Sequence, residues 1–552
     1  MARLSTGRAG AVIAAGTLVS RMLGLLRAMV LVYAISSIGF AAESFATAGR
    51  VPNTVYTLIA TGALTAVIVP QITRAALAAD GGARYINKLI TLAIVGSAGI
   101  MAAAALVTPA LIGWLTSGWP DDQVRLTTVF AYWLLPQILF YSLYTVLGEV
   151  LNARSLFGPY AWSPVLNNLL NMAGLAAFVL LFGADPDGTR GISVWTQGAI
   201  VLVAGSATLG VAVQALVLFA FWRRAGLRFR LDFRFRGIGL GTMGRVASWT
   251  FLTVLLTQLV GLVNTRVLNL AAPSDAGLAA TELAGLIFVL PHSIITISLV
   301  TARFTRMSES VHAGDEEAFS ADLRASARQA AFAMFFFTAA MLVLAMPLIR
   351  IVQPGASYEV LATVAPVLVA NLVALAPFSL LFVLNRGFFA HSDTRTPFFI
   401  ALGQSALTLG VAWYCSTLPS ADIAVVLTLA VSVLILLQAI TTFLLLRGRI
   451  GPAVGRGVGT ALLQFLVAGA AAGAAGYGVL LLLGGTGEGA FAVRGFFGAV
   501  LASAAVTAAM AVVYGLGLVA LRNREALALI RRLRGRGSAP EDPARPEEEA
   551  RP

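Results

Sequence analysis

Charge is scarce in this chain of 552 residues: only 11% are Asp, Glu, Lys or Arg, against 58% hydrophobic residues. A soluble domain has about 25% charged residues, so a water-soluble fold is excluded and an all-α polytopic membrane protein is expected. The mean hydropathy of +0.86 agrees. Lysine is almost absent, with Lys88 alone. The one cysteine, Cys415, lies in an apolar run, which rules out a disulfide framework and a thiolate metal site. His292 and His391 stand isolated, so no metal cluster or cofactor site is expected. No cleavable leader is expected either. The first apolar segment carries two arginines and lacks a short apolar core before a small-residue cleavage site. The net charge of +13 would suggest nucleic acid in a soluble chain. Here the basic residues cluster in short loops and the tail, as the positive-inside rule requires, and no nucleic-acid partner is expected.

What is abundant is apolar runs. Fourteen segments reach spanning length, at residues 11–36, 52–76, 88–116, 127–152, 159–183, 194–222, 242–270, 278–302, 319–347, 358–388, 397–416, 421–446, 457–484 and 492–521. Loops after even-numbered segments are basic: Arg74, Arg84 and Lys88; Arg154; Arg223 to Arg236; Arg303 and Arg306; Arg395; Arg447, Arg449 and Arg456. Loops after odd-numbered segments are acidic or neutral, with Asp121, Asp122, Asp185, Asp187, Asp275, Glu359, Asp422 and Glu488. Both termini are therefore expected on the cytoplasmic side of a plasma membrane.

The linker RRAGLRFRLDFRFRG alternates Arg with Leu or Phe and splits the chain after six segments. It reads either as a plain positive-inside anchor or as a stretch lying flat on an anionic leaflet. The expected division is an N-terminal six-helix lobe with this linker (1–240), a second six-helix lobe (241–450), two additional helices (451–522) and a disordered tail (523–552) rich in Pro and Glu. The two lobes echo each other. LPQILFYSLYTVLGEVLNARSLFGPYAW and APFSLLFVLNRGFFAHSDTRTPFFIA each hold an early proline (Pro136, Pro377). Each then has a short polar turn that closes on Pro159 or Pro397. Such paired bundles suit alternating access about a central site.

Within residues 16–75 the apolar runs carry Arg21, Arg27, Glu43 and Arg50. A charge at bilayer depth costs about 2.5–3.5 kcal/mol on insertion scales, so it faces protein, water or a ligand. A wet cationic cavity is expected there. Blander readings stand beside it. Arg21 and Arg27 lie about 120° apart on an ideal helix and can snorkel or pair with Glu43. Glu43 and Arg50 can form an ion pair or gate, or touch substrate. Arg266 can snorkel near its helix end. Asn167, Asn168 and Asn171 suit interhelical hydrogen bonds.

The run FATAGRVPNTVYTLIATGALTAVIVPQ resembles the signature of the MurJ (MviN) lipid II flippases, with R-x-P-N, then G-A-L, then V-P. LGEVLNARSLFGPYAWSPVLNN and NRGFFAHSDTRTPFFIA resemble that family's turns between the fourth and fifth and between the tenth and eleventh helices. TQLVGLVNTRVLN keeps its Gln-to-Asn spacing at Gln258 and Asn264. The resemblance extends through residue 521 and suits a GC-rich, actinobacterial source.

It implies about 14 transmembrane helices and a flippase for an undecaprenyl-pyrophosphate-linked glycopeptide, with membrane lipids and cell-wall synthesis or division proteins as partners. It also implies substrate binding by Arg21, Arg27 and Arg50, and a carboxylate at Glu43. Arg266 is added from its own position as a substitute cavity charge. The chain departs from the family at Ala28, where an Asp commonly follows the second arginine. It departs at about Tyr56 and Thr57, where an Arg pair is common, and near Leu286, where an arginine precedes the proline. No acid occurs in 242–270, which speaks against sodium coupling.

A pyrophosphate with about two negative charges is met well by guanidinium groups, and its polyprenyl tail can stay in lipid. No covalent step is needed, so no enzyme is expected. The alternatives are a flippase for another lipid-linked glycan, a drug or cation antiporter, and a non-transporting cell-wall scaffold. The antiporter would want intramembrane acids, in which the chain is poor.

Overall fold

The computed structural model describes residues 6–59, 72, 80, 82–235 and 240–533. Helices dominate: α1 (Thr6–Ile35), α2 (Phe40–Ile59), α3 (Ala83–Leu115), α4 (Asp121–Leu134), α5 (Gln137–Ala153), α6 (Phe157–Phe182), α7 (Gln197–Phe221), α8 (Leu240–Leu268) and α9 (Leu278–His312). There follow α10 (Glu316–Val343), α11 (Ala345–Val352), α12 (Tyr358–Leu372), α13 (Leu375–Ala390), α14 (Arg395–Cys415), α15 (Ser420–Ile450), α16 (Val458–Leu482), α17 (Phe496–Ala520) and α18 (Arg524–Leu533). Among the described residues, thirteen helical runs are long and apolar enough to span a membrane. They fall on thirteen of the fourteen expected segments. The protein is a multi-pass membrane protein.

The exception is the second segment, expected at 52–76, most of which lies outside the described residues. The second helix starts earlier than its hydropathy suggests, at Phe40, so Glu43 sits in its first turn rather than before it. Glu43, Ser44, Thr47 and Arg50 in its first three turns lower the hydropathy and hide the helix start from an apolar window. A tight connection makes the early start possible: Ser36 (φ 67°) and Gly39 (φ 93°) are both left-handed. A Cβ on Gly39 would come within 2.3 Å of the Gly188 carbonyl oxygen, so only glycine fits.

The two turns likened in the sequence share their geometry. The fourth span breaks into α4 and α5 beside Pro136, and the tenth into α12 and α13 shortly before Pro377. Each then ends on a left-handed serine, Ser155 (φ 61°) or Ser392 (φ 57°). The following N–H reaches back to the helix, Leu156 to the Leu151 carbonyl at 2.8 Å and Asp393 to that of Phe388 at 2.9 Å. Pro159 and Pro397 are each the third residue of the next helix, where no N–H is missed.

The start of α1, with Val12 beside Gly158, and α18, with Glu525 on Arg328, lie at one end of the bundle, called here the terminal end; the other is the far end. At the far end of the first half, Phe178 stacks on Trp195 and Phe130 meets it edge to face, in one apolar cluster with Ala34 and Ile35. A second apolar cluster crosses the halves, joining Val32, Ile38 and Ala46 to Leu283, Ile287 and Val352. α16 and α17 pack together and against α10 through Phe465, Ala468, Val506 and Met510. A Cβ on Gly476 would meet Met510 Sδ at 2.4 Å, so small residues set this close approach.

Candidate functional site

Arg21, Glu43 and Arg50 of the first two helices meet α9 along the seam between the halves. At 1.5 Å per residue, Arg27 and Arg21 lie about 12 Å and about 21 Å from the far end of α1. They go to different walls. Arg21 donates to the Ser293 carbonyl at 2.7 Å, within the π-helical turn His292–Thr296 that follows Pro291. Such single turns often mark functional positions in helices. His292 beside it shares a 2.8 Å hydrogen bond with Ser379 and packs against Phe378 and Phe382.

Arg27 turns to the first half, where Tyr141 is its electrostatic neighbour. Tyr141 lies against Tyr56, ring centroids 4.5 Å apart. The Nε of Arg27 is buried and has no hydrogen-bond partner. A buried unpaired donor costs about 1–3 kcal/mol, more on a charged group. By contrast Arg350, also buried, donates to the carbonyls of Val493 and Ala356, each at 2.6 Å, and is a structural clamp.

Arg50 pairs with Glu282 on α9, Nε to Oε1 3.1 Å, in a partly exposed contact not aligned as a hydrogen bond. Sequence reading had missed Glu282. Its signal was available: a lone carboxylate in an apolar span. Between α1, α2 and α9 lies a cavity of about 220 Å³, lined by Ser36, Ser37, Gly49, Asn53, Glu282 and apolar neighbours. Ala28 and Leu286 line it too. These are the positions where the resemblance marks a missing acid and a missing arginine, so the two absent charges would have faced one space.

Glu43 corrects the expectation of an ion pair. It has no basic partner among the described residues. Its carboxylate is buried and accepts the N–H of Leu278 at 3.0 Å and that of Ala279 at 3.2 Å. It thus caps the first turn of α9 from the other half of the chain, where the helix dipole favours an anion. A Cβ on Gly277 would stand 2.7 Å from Glu43 Oε1, so glycine lets the carboxylate in. Arg266 is not brought to the other arginines. It donates to the Trp114 carbonyl and lies over the Trp114 ring, 5.1 Å from its centroid, near the far end. Asn167, Asn168 and Asn171 bond across helices to Gln214, the Ser20 carbonyl and Ser206.

More bonds join the halves at the far end. Asn269 accepts from Thr47 at 3.2 Å and donates to the Leu115 carbonyl at 3.0 Å, while its own carbonyl takes the Trp119 indole N–H at 2.6 Å. Gln353 donates to Ser37, and the Ser357 N–H donates to Asp187 at 2.6 Å.

A family model described as "Lipid II flippase MurJ" matches residues 36–497. A probable lipid II flippase MurJ of Rhizobium meliloti (strain 1021) is 27% identical over 412 residues, covering 73% of this chain and 74% of the relative. A lipid II flippase MurJ of Burkholderia cenocepacia is 26% identical over 416 residues, covering 71% and 75%. Among solved structures, a lipid II flippase MurJ in an inward closed conformation superposes with a TM-score of 0.70 at 15% identity, covering 92% of this chain and 99% of that one. An inward-facing multidrug resistance transporter of the MATE family and MOP superfamily gives 0.61 at 14%, covering 79% and 96%. These structures share the fold. With the match running from residue 36 to residue 497, the protein belongs to the MurJ lipid II flippase family.

Proposed function

We propose that the protein is a transporter, not an enzyme, and moves lipid II from the inner to the outer leaflet of the plasma membrane by alternating access. The observation that carries this reading is Arg27: a guanidinium in a membrane span, its Nε buried and without a hydrogen bond, beside Tyr141. A pyrophosphate supplies the paired acceptors that such a group lacks, in a setting where charge-assisted hydrogen bonds are strong. Arg21 and Arg50 stand by on the seam between the halves and exchange a carbonyl and a carboxylate for phosphate oxygens. The uncharged tail stays in lipid.

The moving bodies are the lobes 1–240 and 241–450, with 451–522 riding on the second; the stretch expected as a disordered tail, 523–552, opens instead with the helix α18, held to α10 by Arg328 and Glu525, and moves with that lobe. In this reading the structure is the state closed at the far, outer end. Glu43 on the α9 terminus and Arg50 with Glu282 are latches that part when that end opens. Arg266 serves the same closure through Trp114, and its substrate contact is made, if the far end opens, on release. Both termini are cytoplasmic.

The test is replacement of the resident lipid II flippase in a conditional strain, with outer-leaflet lipid II assayed after depletion. Restored translocation by this chain, and none by Arg27→Ala at equal expression, is the expected result. An inserted protein that restores nothing while the resident flippase does so in the same background would overturn the lipid II assignment.

A further inference from the structure

The linker between the halves has a defined shape. Its root is buried: Trp222, Ala225 and Leu227 belong to an apolar cluster with Ile86, Leu89 and Ile90 of α3. From there 228–233 runs extended along α3, and a tight turn follows in which the Phe235 N–H reaches the Phe233 carbonyl at 3.0 Å. One side-chain amide, Asn87, donates to the Arg228 carbonyl and accepts the Arg230 N–H, both at 3.2 Å. Thr91 Oγ1 accepts the Asp232 N–H at 2.9 Å. A carbonyl at i and N–H groups at i+2 and i+4 share one edge only in an extended chain, so α3 acts as a ladder partner made of side chains.

That conformation sorts the sequence by period two. Even positions hold Arg228, Arg230 and Asp232 and odd positions Phe229, Leu231 and Phe233, with Arg234 and Phe235 following in the turn. The single carboxylate is turned inward, Asp232 Oδ1 taking the Arg234 N–H at 3.0 Å, so the even face presents arginine. The odd face is not buried: Leu231 is 57% and Phe233 61% exposed. Exposed aromatics in water are costly, but this stretch joins two helices long and apolar enough to span a membrane, α7 and α8, and a connection between spans emerges at the bilayer surface. Aromatic rings and arginine together suit the headgroup boundary.

We propose that 228–235 is a lipid-binding strap. Phe229, Leu231 and Phe233 lie in the boundary between headgroups and acyl chains, and Arg228, Arg230 and Arg234 hold the phosphates of anionic phospholipids in the leaflet at the terminal end. The occupant is a lipid because one face is apolar; a free phosphate would leave Leu231 and Phe233 in water. The site rests on membrane insertion alone and stands or falls apart from the flippase reading.

Full-length protein extracted from vesicles of mixed phosphatidylcholine and phosphatidylglycerol is examined by native mass spectrometry. The wild type should retain phosphatidylglycerol preferentially, and R228Q/R230Q/R234Q should lose that preference by roughly tenfold or more. Equal retention by the two proteins would overturn the arginine site. Displacement of the lipid by glycerol phosphate at equal phosphate concentration would overturn the lipid as occupant. A nitroxide at Phe233→Cys, in a Cys415→Ala background, should collide more with oxygen than with an aqueous nickel chelate. The reverse order would put the strap in water and overturn its placement.

Discussion

The two ends of the bundle are held together in different ways. At the far end, beside bonds within each half such as those of Arg350, a set of described bonds crosses between the halves: Glu43 to α9, Gln353 to Ser37, Ser357 to Asp187, Asn269 to Thr47 and Leu115. At the terminal end the described ion pairs stay within the second half, as in Arg328 with Glu525, Arg449 with Asp393 and His391 with Glu316. There the linker's bonds to Asn87 stay within the first half. The far end is thus built to join two bodies and the terminal end to keep each body intact. Arg21, Arg27 and the Arg50–Glu282 pair lie between, where a change of contacts at one end can reach a ligand.

The largest expected effect lies in that middle zone. Arg27→Ala should cut outer-leaflet lipid II by roughly ten- to a hundredfold at equal expression, the worth of one charge-assisted bond of about 1.5–3 kcal/mol. Unchanged translocation would leave the far-end bonds as the only functional feature of the seam. Next is Gly277→Ala, which should loosen the far end by pushing Glu43 off α9, at a cost of about 1–3 kcal/mol. Ser37→Cys, buried in the parent, reports it. In a Cys415→Ala background its labelling by an impermeant thiol reagent should rise with the alanine present, and an unchanged rate would mean that the cap does not latch this end.

Glu282→Gln should act more weakly, by about 0.2–1 kcal/mol, because its pair with Arg50 is partly exposed. The reversed pair Arg50→Glu with Glu282→Arg should recover Ser37 protection. No recovery would show that Arg50 acts on something other than Glu282.

The smallest effect belongs to the terminal end. Asp393 is partly buried, which raises its pKa. Hydrogen bonds from Thr396 and the charge of Arg449 outweigh that, and the net direction is down. A depressed carboxylate gives stability that is present above the ordinary Asp value of about 3.9 and is lost as pH falls through the lower folded value. Thermal stability should therefore show an acid-side loss below about pH 4 that Asp393→Asn removes. Labelling at Ser37→Cys should not follow it; if it does, the two ends are coupled through the second half.

Composition and periodicity determined much of this protein. Apolar runs located thirteen of the spans because a helix in lipid must satisfy its own backbone, which makes length and hydropathy nearly sufficient. The paired prolines located the two matching turns for a similarly local reason, since proline acts on its own helix. The charged positions Arg21, Arg27, Glu43 and Arg50 were visible as exceptions to hydropathy.

Their partners were not visible, because a partner is a matter of distance across the fold. Glu43 meets the N–H groups of Leu278 and Ala279, more than two hundred positions along the chain, through a gap left by a glycine. No spacing rule connects residues so far apart. Arg50 chose Glu282, Arg21 a carbonyl, Arg266 a tryptophan and Arg27 no hydrogen bond at its Nε, although all four look alike in sequence. Sequence determined that the membrane would hold these guanidinium groups. Only the packing of one half on the other decided that Arg21 and Arg266 are spent on carbonyls, that Arg50 faces a carboxylate, and that Arg27 keeps a buried Nε without either, because desolvation and geometry are set jointly by residues far apart in the chain.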